Sequence, residues 1–238
     1  MRGRPRCIVV SCEHATNRVP RRWRSLFCAR TRLLTSHRGW DPGALQLARH
    51  IATTLGRPLD AAPATRLLAD TNRSVGHPRL FSEVTRELPR QERECILDTL
   101  YHPHRRRVEA RVTHAISQGA LAIHLGVHSF TPVLDGVVRR TDVGVLYDPR
   151  RPGERDLALE LRRRLRAAHD WRVRLNDPYR GNADGLTTTL RRRFPENRYW
   201  GIELEVNQRL VKRSPARWFR LQQTLAKVLC ELPVTILA

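Results

Sequence analysis

Short apolar runs alternate along this chain with stretches whose apolar positions recur every three or four residues. Residues 7–12 (CIVVSC) carry no helical period and read as a buried first strand. Asp41-Pro42 opens a helix as N-cap and first-turn proline, with Leu45, Ala48, Ala52 and Leu55 on its apolar face. A second strand is expected over 65–70, and a long helical region over about 92–117, closed by Gly119. Residues 120–128 form the most apolar strand in the chain. After it come a strand at 143–147, a helix at about 154–168, a strand at 171–175 and a turn at Asn176-Asp177-Pro178. A helix at 185–193, a late strand at 199–206 and a closing helix from Ser214-Pro215 to Cys230 complete the pattern. Strands that alternate with helices predict an α/β fold with a mainly parallel central sheet flanked by helices. With no internal repeat, linker or compositional break, residues 1–238 are expected to form a single domain.

Composition changes this picture little. The 238 residues are 40% hydrophobic and 28% charged, which is ordinary for a globular chain long enough to build its own core. Apolar runs such as Ile8-Val9-Val10 and 234–238 fall far short of the roughly 20 residues of a membrane span. No leader pattern opens the chain, and the five cysteines are scattered without CxxC spacing, so a cytoplasmic protein with free thiols is expected. Charge is more unusual: 44 Lys plus Arg against 23 Asp plus Glu gives +21, and only Lys212 and Lys227 are lysines. The arginines are spread over nearly every segment without interleaved aromatics. The triplets at 105–107, 162–164 and 191–193 therefore read as solvated helix faces rather than a nucleic-acid surface, with nonspecific polyanion attraction as a by-product.

Chemistry gathers at the strand ends. In a parallel α/β sheet, ligands bind beyond the carboxyl ends of the strands. The first strand runs into Ser11-Cys12-Glu13-His14, the second into Asp70-Thr71-Asn72-Arg73, the third into His128-Ser129, and the late strand carries Glu203 and Glu205 on one face. Two imidazoles to bind a divalent metal, a carboxylate to deprotonate water and an arginine to neutralise a substrate suit a mononuclear metallohydrolase. His124, four residues before His128, reads as a core histidine. Asp41 already has structural work as an N-cap.

Several blocks resemble one family. Cys12-Glu13-His14-Ala15-Thr16-Asn17, Trp40-Asp41-Pro42-Gly43-Ala44, the run from Arg66 through Asp70-Thr71-Asn72-Arg73, His128-Ser129-Phe130-Thr131-Pro132 and Ile202-Glu203-Leu204-Glu205-Val206-Asn207 are similar, in order, to the signature blocks of N-formylglutamate amidohydrolases. Asn176-Asp177-Pro178-Tyr179 also fits. The resemblance implies a mixed, mainly parallel sheet like that of zinc carboxypeptidases and aspartoacylases. It implies His14 and His128 as ligands of zinc or another divalent metal, and Glu205 as the general base. Asn72 and Arg73 would hold a substrate carboxylate, with Arg139 and Tyr179 further substrate-binding positions. Arg66, or Arg139-Arg140, would polarise the scissile carbonyl.

One departure stands out. Zinc carboxypeptidases place a glutamate three residues after the first histidine, where this chain has Asn17. The third ligand is then Glu13, Asp41 (the preferred position) or another group, or the site holds metal weakly or not at all. The function implied is metal-dependent hydrolysis of the amide bond of a small acidic N-acyl amino acid, such as an N-formyl one. The alternatives are a metallocarboxypeptidase or amidase acting on short peptides, and a catalytically retired, basic nucleic-acid-binding scaffold.

Overall fold

The computed structural model describes residues 5–232; the apolar run at 234–238 lies outside the described residues. Strand β1 (Arg6–Cys12) leads through a 3-10 turn (Arg21–Phe27) and helix α1 (Thr31–Thr35) to α2 (Ala44–Thr54) and β2 (Leu59–Ala61). Helix α3 (Arg90–Ile96) continues through a π-helical segment (Leu97–Tyr101) into α4 (His102–Ser117), followed by β3 (Leu121–Phe130). A hairpin of β4 (Val133–Leu134) and β5 (Val137–Val138) precedes β6 (Val143–Leu146), α5 (Pro152–Ala168), β7 (Val173–Leu175), α6 (Leu186–Arg193) and β8 (Tyr199–Asn207). Helices α7 (Gln208–Arg213) and α8 (Pro215–Cys230) follow.

Six strands form one sheet in the order β2-β1-β3-β8-β6-β7. The β2/β1, β1/β3, β3/β8 and β6/β7 pairs are parallel, whereas β8 and β6 are antiparallel. The expected mixed, mainly parallel sheet is what the chain forms. Its centre, β3 between β1 and β8, is buried along its whole length, as suits strands covered on both faces.

Period-2 alternation gives the two faces different jobs. Leu121, Ile123, Leu125 and Val127 of β3 join Trp200, Ile202, Leu204 and Val206 of β8 in an apolar layer under α2, α5 and α8. On the other face, Val9, Ala122 and Tyr199 are covered by α4 and α6. Further along that same face the side chains turn polar: Ser11 and His124, then Glu203, then His128 and Glu205. His124 is indeed internal, 2.7 Å from Ser11 Oγ and 3.0 Å from the Tyr199 hydroxyl, and burial lowers its pKa to about 4.

Three expectations need correction. Residues 65–70 are turns, not a strand; the second strand is Leu59–Ala61, paired with Val10–Cys12. Leu67, Leu68 and Ala69 satisfy their apolarity in a separate cluster with Trp23, Phe27, Ile96 and Tyr101. The backbone N–H groups of Thr65, Arg66 and Asp70 donate to Arg18, Gly39 and Leu80 carbonyls, so no ladder forms. Asp41 does not cap α2: the helix starts at Ala44 behind Gly43, whose φ of +85° suits glycine, and no side chain caps it. A Cβ on Gly43 would come within 2.6 Å of Val211 Cγ2 as well. That tight turn leaves the Asp41 carboxylate free for other partners.

The arginine triplets are not all solvent faces either. Arg105 donates to the carbonyls of Thr71 and Arg73 and to Thr189 Oγ1, clamping the loop after residue 70 onto α4 and α6. Arg191 is buried and ties Glu154 to the carbonyls of Gly181 and Gly201. Two arginines from different triplets are therefore internal cross-links, a use that side-chain pattern alone does not reveal. Among the described residues, no helix is long and apolar enough to cross a membrane.

Candidate active site

His14 follows the end of β1, His128 lies near the end of β3, and Asp41 sits in the turn before α2. Tight cross-links bring them together. The Asp41 N–H donates to the His14 carbonyl at 3.0 Å, and Ser129 Oγ donates to the Pro42 carbonyl at 2.7 Å. All three side chains are buried. His14 Nδ1 and His128 Nδ1 are 3.2 Å apart, and Asp41 Oδ2 lies 3.2 Å from the first and 3.1 Å from the second.

That triangle has the dimensions of a metal coordination face. Tetrahedral ligands at 2.0–2.1 Å from a small divalent ion are about 3.3 Å from one another. The far side of each imidazole meets a carboxylate. His14 Nε2 is 2.7 Å from Asp70 Oδ1, and His128 Nε2 is 3.1 Å from Glu13 Oε2. A proton on each Nε2 leaves both Nδ1 lone pairs facing one another, an arrangement that needs a cation or a shared proton between them. Histidines that bind metal through one nitrogen while the other donates to a carboxylate show this same arrangement. The buried His14, Asp41 and His128 group could hold a metal ion.

Electrostatics point the same way. Four buried carboxylates, Glu13, Asp41, Asp70 and Glu205, surround the two imidazoles. Burial alone would raise their pKa values, but His104 and His128 hold Glu13 well below its ordinary range. His14 and His128 do the same for Asp41, and Arg66 with His14 for Asp70. Burial would also lower the His128 pKa, yet Asp41 and Glu13 outweigh it and hold the value well above the ordinary one. Glu205 is the exception. Its pKa is raised to about 8, chiefly by burial and further by Asp41 and Glu203 against the opposing pull of His128, and its Oε2 is buried without a hydrogen-bond partner among the described residues. It stands directly opposite His128 across the β3/β8 pair.

A cavity of about 830 Å³ opens onto the cluster, lined by His14, Asp41, His128, Glu203 and Glu205 with Arg66, Asn72, Arg73 and Tyr179. Arg66 turns its fork to carboxylates: Nε and Nη2 donate to Asp70 Oδ2 at 3.1 and 2.5 Å, and Nη1 is 3.6 Å from Asp41 Oδ1. Asn72 Oδ1 accepts the Leu186 N–H at 2.7 Å and so satisfies the start of α6. Arg73 Nη1 donates to the Asp184 carbonyl at 2.8 Å while still lining the cavity. Arg139 stands outside the cavity lining and donates to the Tyr179 hydroxyl at 2.9 Å.

The sequence singles out the triangle but not what supports it. His104 has no exposed surface, and its Nε2 is 3.5 Å from Glu13 Oε1. Glu13 is thus held between His104 and His128. In the sequence His102-Pro103-His104-Arg105 is only roughly similar to the family's Pro-aromatic-His element, and nothing local announces a partner 91 residues away. Asp70 likewise gains its meaning from contacts with His14 and Arg66.

Solved structures carry the same fold. A gene product of Agrobacterium tumefaciens matches with a TM-score of 0.75 at 27% identity, over 94% of this chain and 90% of that one. An N-formylglutamate amidohydrolase of Ralstonia eutropha matches with a TM-score of 0.69 at 19% identity, over 95% and 92%, a likeness of fold. No curated protein matches. The family model of N-formylglutamate amidohydrolase matches residues 6–212, nearly the whole described chain. The chain therefore belongs to the N-formylglutamate amidohydrolase family.

Proposed function

We propose that this protein hydrolyses the amide bond of a small acidic N-acyl amino acid, with N-formyl-L-glutamate as reference substrate, at the His14–Asp41–His128 cluster. The observation that carries the reading is the triangle of three ligand atoms at 3.1–3.2 Å beside the buried Glu205 carboxylate, whose Oε2 has no hydrogen-bond partner among the described residues, all on one cavity. His14, His128 and Asp41 would hold a divalent ion, for which two imidazoles and a carboxylate suit zinc. When bound, such an ion supplies Lewis-acid polarisation and eases deprotonation of water.

The chain's own residues do the rest. Glu205 takes the proton of the attacking water as its oxygen bonds to the acyl carbon. As the C–N bond breaks, Glu205 returns that proton to the departing nitrogen, so that the free amino acid and the carboxylic acid leave with atoms balanced. Asp70 and Glu13 fix the ring orientations of His14 and His128. Arg66 is assigned a positioning role, holding Asp70 and Asp41 in place, because its fork is already occupied by them. Arg73, with a planar guanidinium fork at the cavity wall, receives the substrate carboxylate. Tyr179, whose hydroxyl accepts a hydrogen bond from Arg139, lines the same cavity and would contact the substrate there.

The purified protein loaded with Zn²⁺ is expected to release formate and glutamate from N-formyl-L-glutamate, and to lose that activity reversibly on treatment with a chelator. Faster release of amino acids from short unblocked peptides would favour peptide trimming instead. That second reading draws support from a cavity of about 830 Å³, roomy for one acylated amino acid. Metal-loaded protein that cleaves neither class overturns both. If Arg73 holds the substrate carboxylate, Arg73→Ala should raise KM about 10- to 100-fold, the value of a charged hydrogen bond, with a smaller change in kcat. Steady-state kinetics on N-formyl-L-glutamate separate the two parameters.

A further inference from the structure

Glu203 lies two residues before Glu205 and on the same face of β8. Its Oε1 accepts the Thr187 hydroxyl at 2.9 Å. Among the described residues no arginine, lysine or histidine forms an ion pair with it, in a chain with 44 basic residues. Glu203 nevertheless lines the cavity. A carboxylate fixed through one oxygen, with the other unclaimed and no ion pair, is equipped to receive a donor from a ligand.

Two glycines place Glu203 close to both parts of the site. A Cβ on Gly126 would stand 3.4 Å from Glu203 Cγ and 3.7 Å from His128 Nε2, so one glycine separates Glu203 from the Glu13 side of His128. A Cβ on Gly185 would stand 3.3 Å from Glu203 Oε1 and 3.2 Å from Asn72 Oδ1, so another separates Glu203 from the Asn72–Arg73 wall. Glu203 thus stands near both His128 and Asn72, on the cavity that Glu205 and Arg73 also line. In an N-acyl amino acid, the atom between acyl carbon and α-carbon is the nitrogen.

We propose that Glu203 is the subsite for the substrate's nitrogen: its free oxygen accepts the amide N–H of the bound substrate and then holds the ammonium group of the released amino acid. That substrate orientation rests on the proposed hydrolase function. Thr187 sets the carboxylate rotamer, and the missing side chains at Gly126 and Gly185 let Glu203 pack close to His128 and Asn72. A charged hydrogen bond forms only after cleavage, when the nitrogen becomes cationic, so Glu203 distinguishes product from substrate.

Two probes that differ only at the nitrogen test this: L-glutamate, and glutarate, which lacks the amino group. Calorimetric titration of the metal-loaded protein with each is compared for wild type, Glu203→Gln and Glu203→Asp. Glu203→Gln is expected to weaken L-glutamate about 10- to 100-fold and to leave glutarate within about threefold. Glu203→Asp, which keeps the charge, is expected to recover most of the loss. Equal losses for both probes, or an unchanged L-glutamate affinity, overturn the nitrogen subsite while leaving the hydrolase reading intact. A wild type that binds neither probe overturns the two together.

Discussion

Replacing His128 by alanine is expected to remove bound metal and to cut hydrolysis of N-formyl-L-glutamate by on the order of 10³-fold or more, about 4 kcal/mol of transition-state stabilisation. His128 is one corner of a three-atom face whose edges are 3.1–3.2 Å. With one corner gone, the remaining imidazole and carboxylate offer two ligands where a small divalent ion needs at least three from the protein. A second cost accompanies the first. Asp41 and Glu13 both depend on His128 to stay charged while buried, and breaking a buried pair typically destabilises by about 3–5 kcal/mol. The two losses can be told apart. Asp41→Asn keeps the volume and leaves His128 with Glu13, so it should lose metal with a smaller drop in melting temperature. Elemental analysis of both variants, with far-UV circular dichroism to confirm folding, checks this. Retention of stoichiometric metal by His128→Ala would show that the triangle is not the metal face.

The same residues explain how far the sequence can be read. Strands β3 and β8 are visible because burial on both faces leaves continuous apolar runs, and polar residues inside such runs are conspicuous. His128 and Glu205 are therefore open to inspection, and His14 is flagged by standing at the end of CIVVSC. The order of blocks adds the family. Other parts obey rules that act between segments. The run at 65–70 looks like a strand by composition, but its apolar side chains are claimed by the cluster around Trp23 and Tyr101. Asp41-Pro42 looks like a helix start, yet the left-handed Gly43 moves the start to Ala44 and frees the carboxylate for the histidines. The departure at Asn17 leaves the third ligand open among Glu13, Asp41 and other groups, and leaves open a site that holds metal weakly or not at all. In three dimensions Asp41 faces the Nδ1 atoms and Glu13 stands behind, at Nε2 of His128, which is why the proposed ligand set takes Asp41.

The charge also takes on a different aspect. Most of the arginines on α5 and the loops sit in solvent as expected, but Arg66, Arg105 and Arg191 each bind a group that positions the cavity wall. Even with a net charge of +21, the floor of the cavity is acidic. Four buried carboxylates, two of them paired with Arg66, lie at the cluster, while Arg38, Arg73, Arg79, Arg86 and Arg180 also line the cavity. A soluble polyanion would meet the outer arginines. The carboxylates at the cluster favour positive charge there, and the arginines along the cavity walls favour an acidic ligand.

Glu205→Gln is expected to separate catalysis from stability, moving them in opposite directions. Loss of the proton-transferring carboxylate should lower kcat by about 10²–10⁴-fold, the usual contribution of general acid–base catalysis, while metal content stays near wild type because the triangle is untouched. Stability should rise. Glu205 titrates near pH 8 in the folded protein against about 4.3 when unfolded. Between those values the folded state holds a proton that the unfolded state has released, so stability falls as pH increases from about 4.3 to 8 and is level above that. A tenfold difference in proton affinity between the two states is worth about 1.4 kcal/mol, so the carboxylate costs the metal-free fold on the order of 2–5 kcal/mol at pH 8 and above. A glutamine of the same shape cannot ionise and escapes that cost. Urea unfolding of metal-free wild type and Glu205→Gln should therefore give matching stabilities near pH 4.5 and a variant that is clearly more stable at pH 8. Bound cation should shrink the gap, since positive charge lowers the pKa of a neighbouring carboxylate. Equal stabilities at pH 8 would mean that Glu205 finds compensation in solution that its buried Oε2 lacks here, and would remove the reason for regarding it as a group kept for chemistry at the expense of the fold.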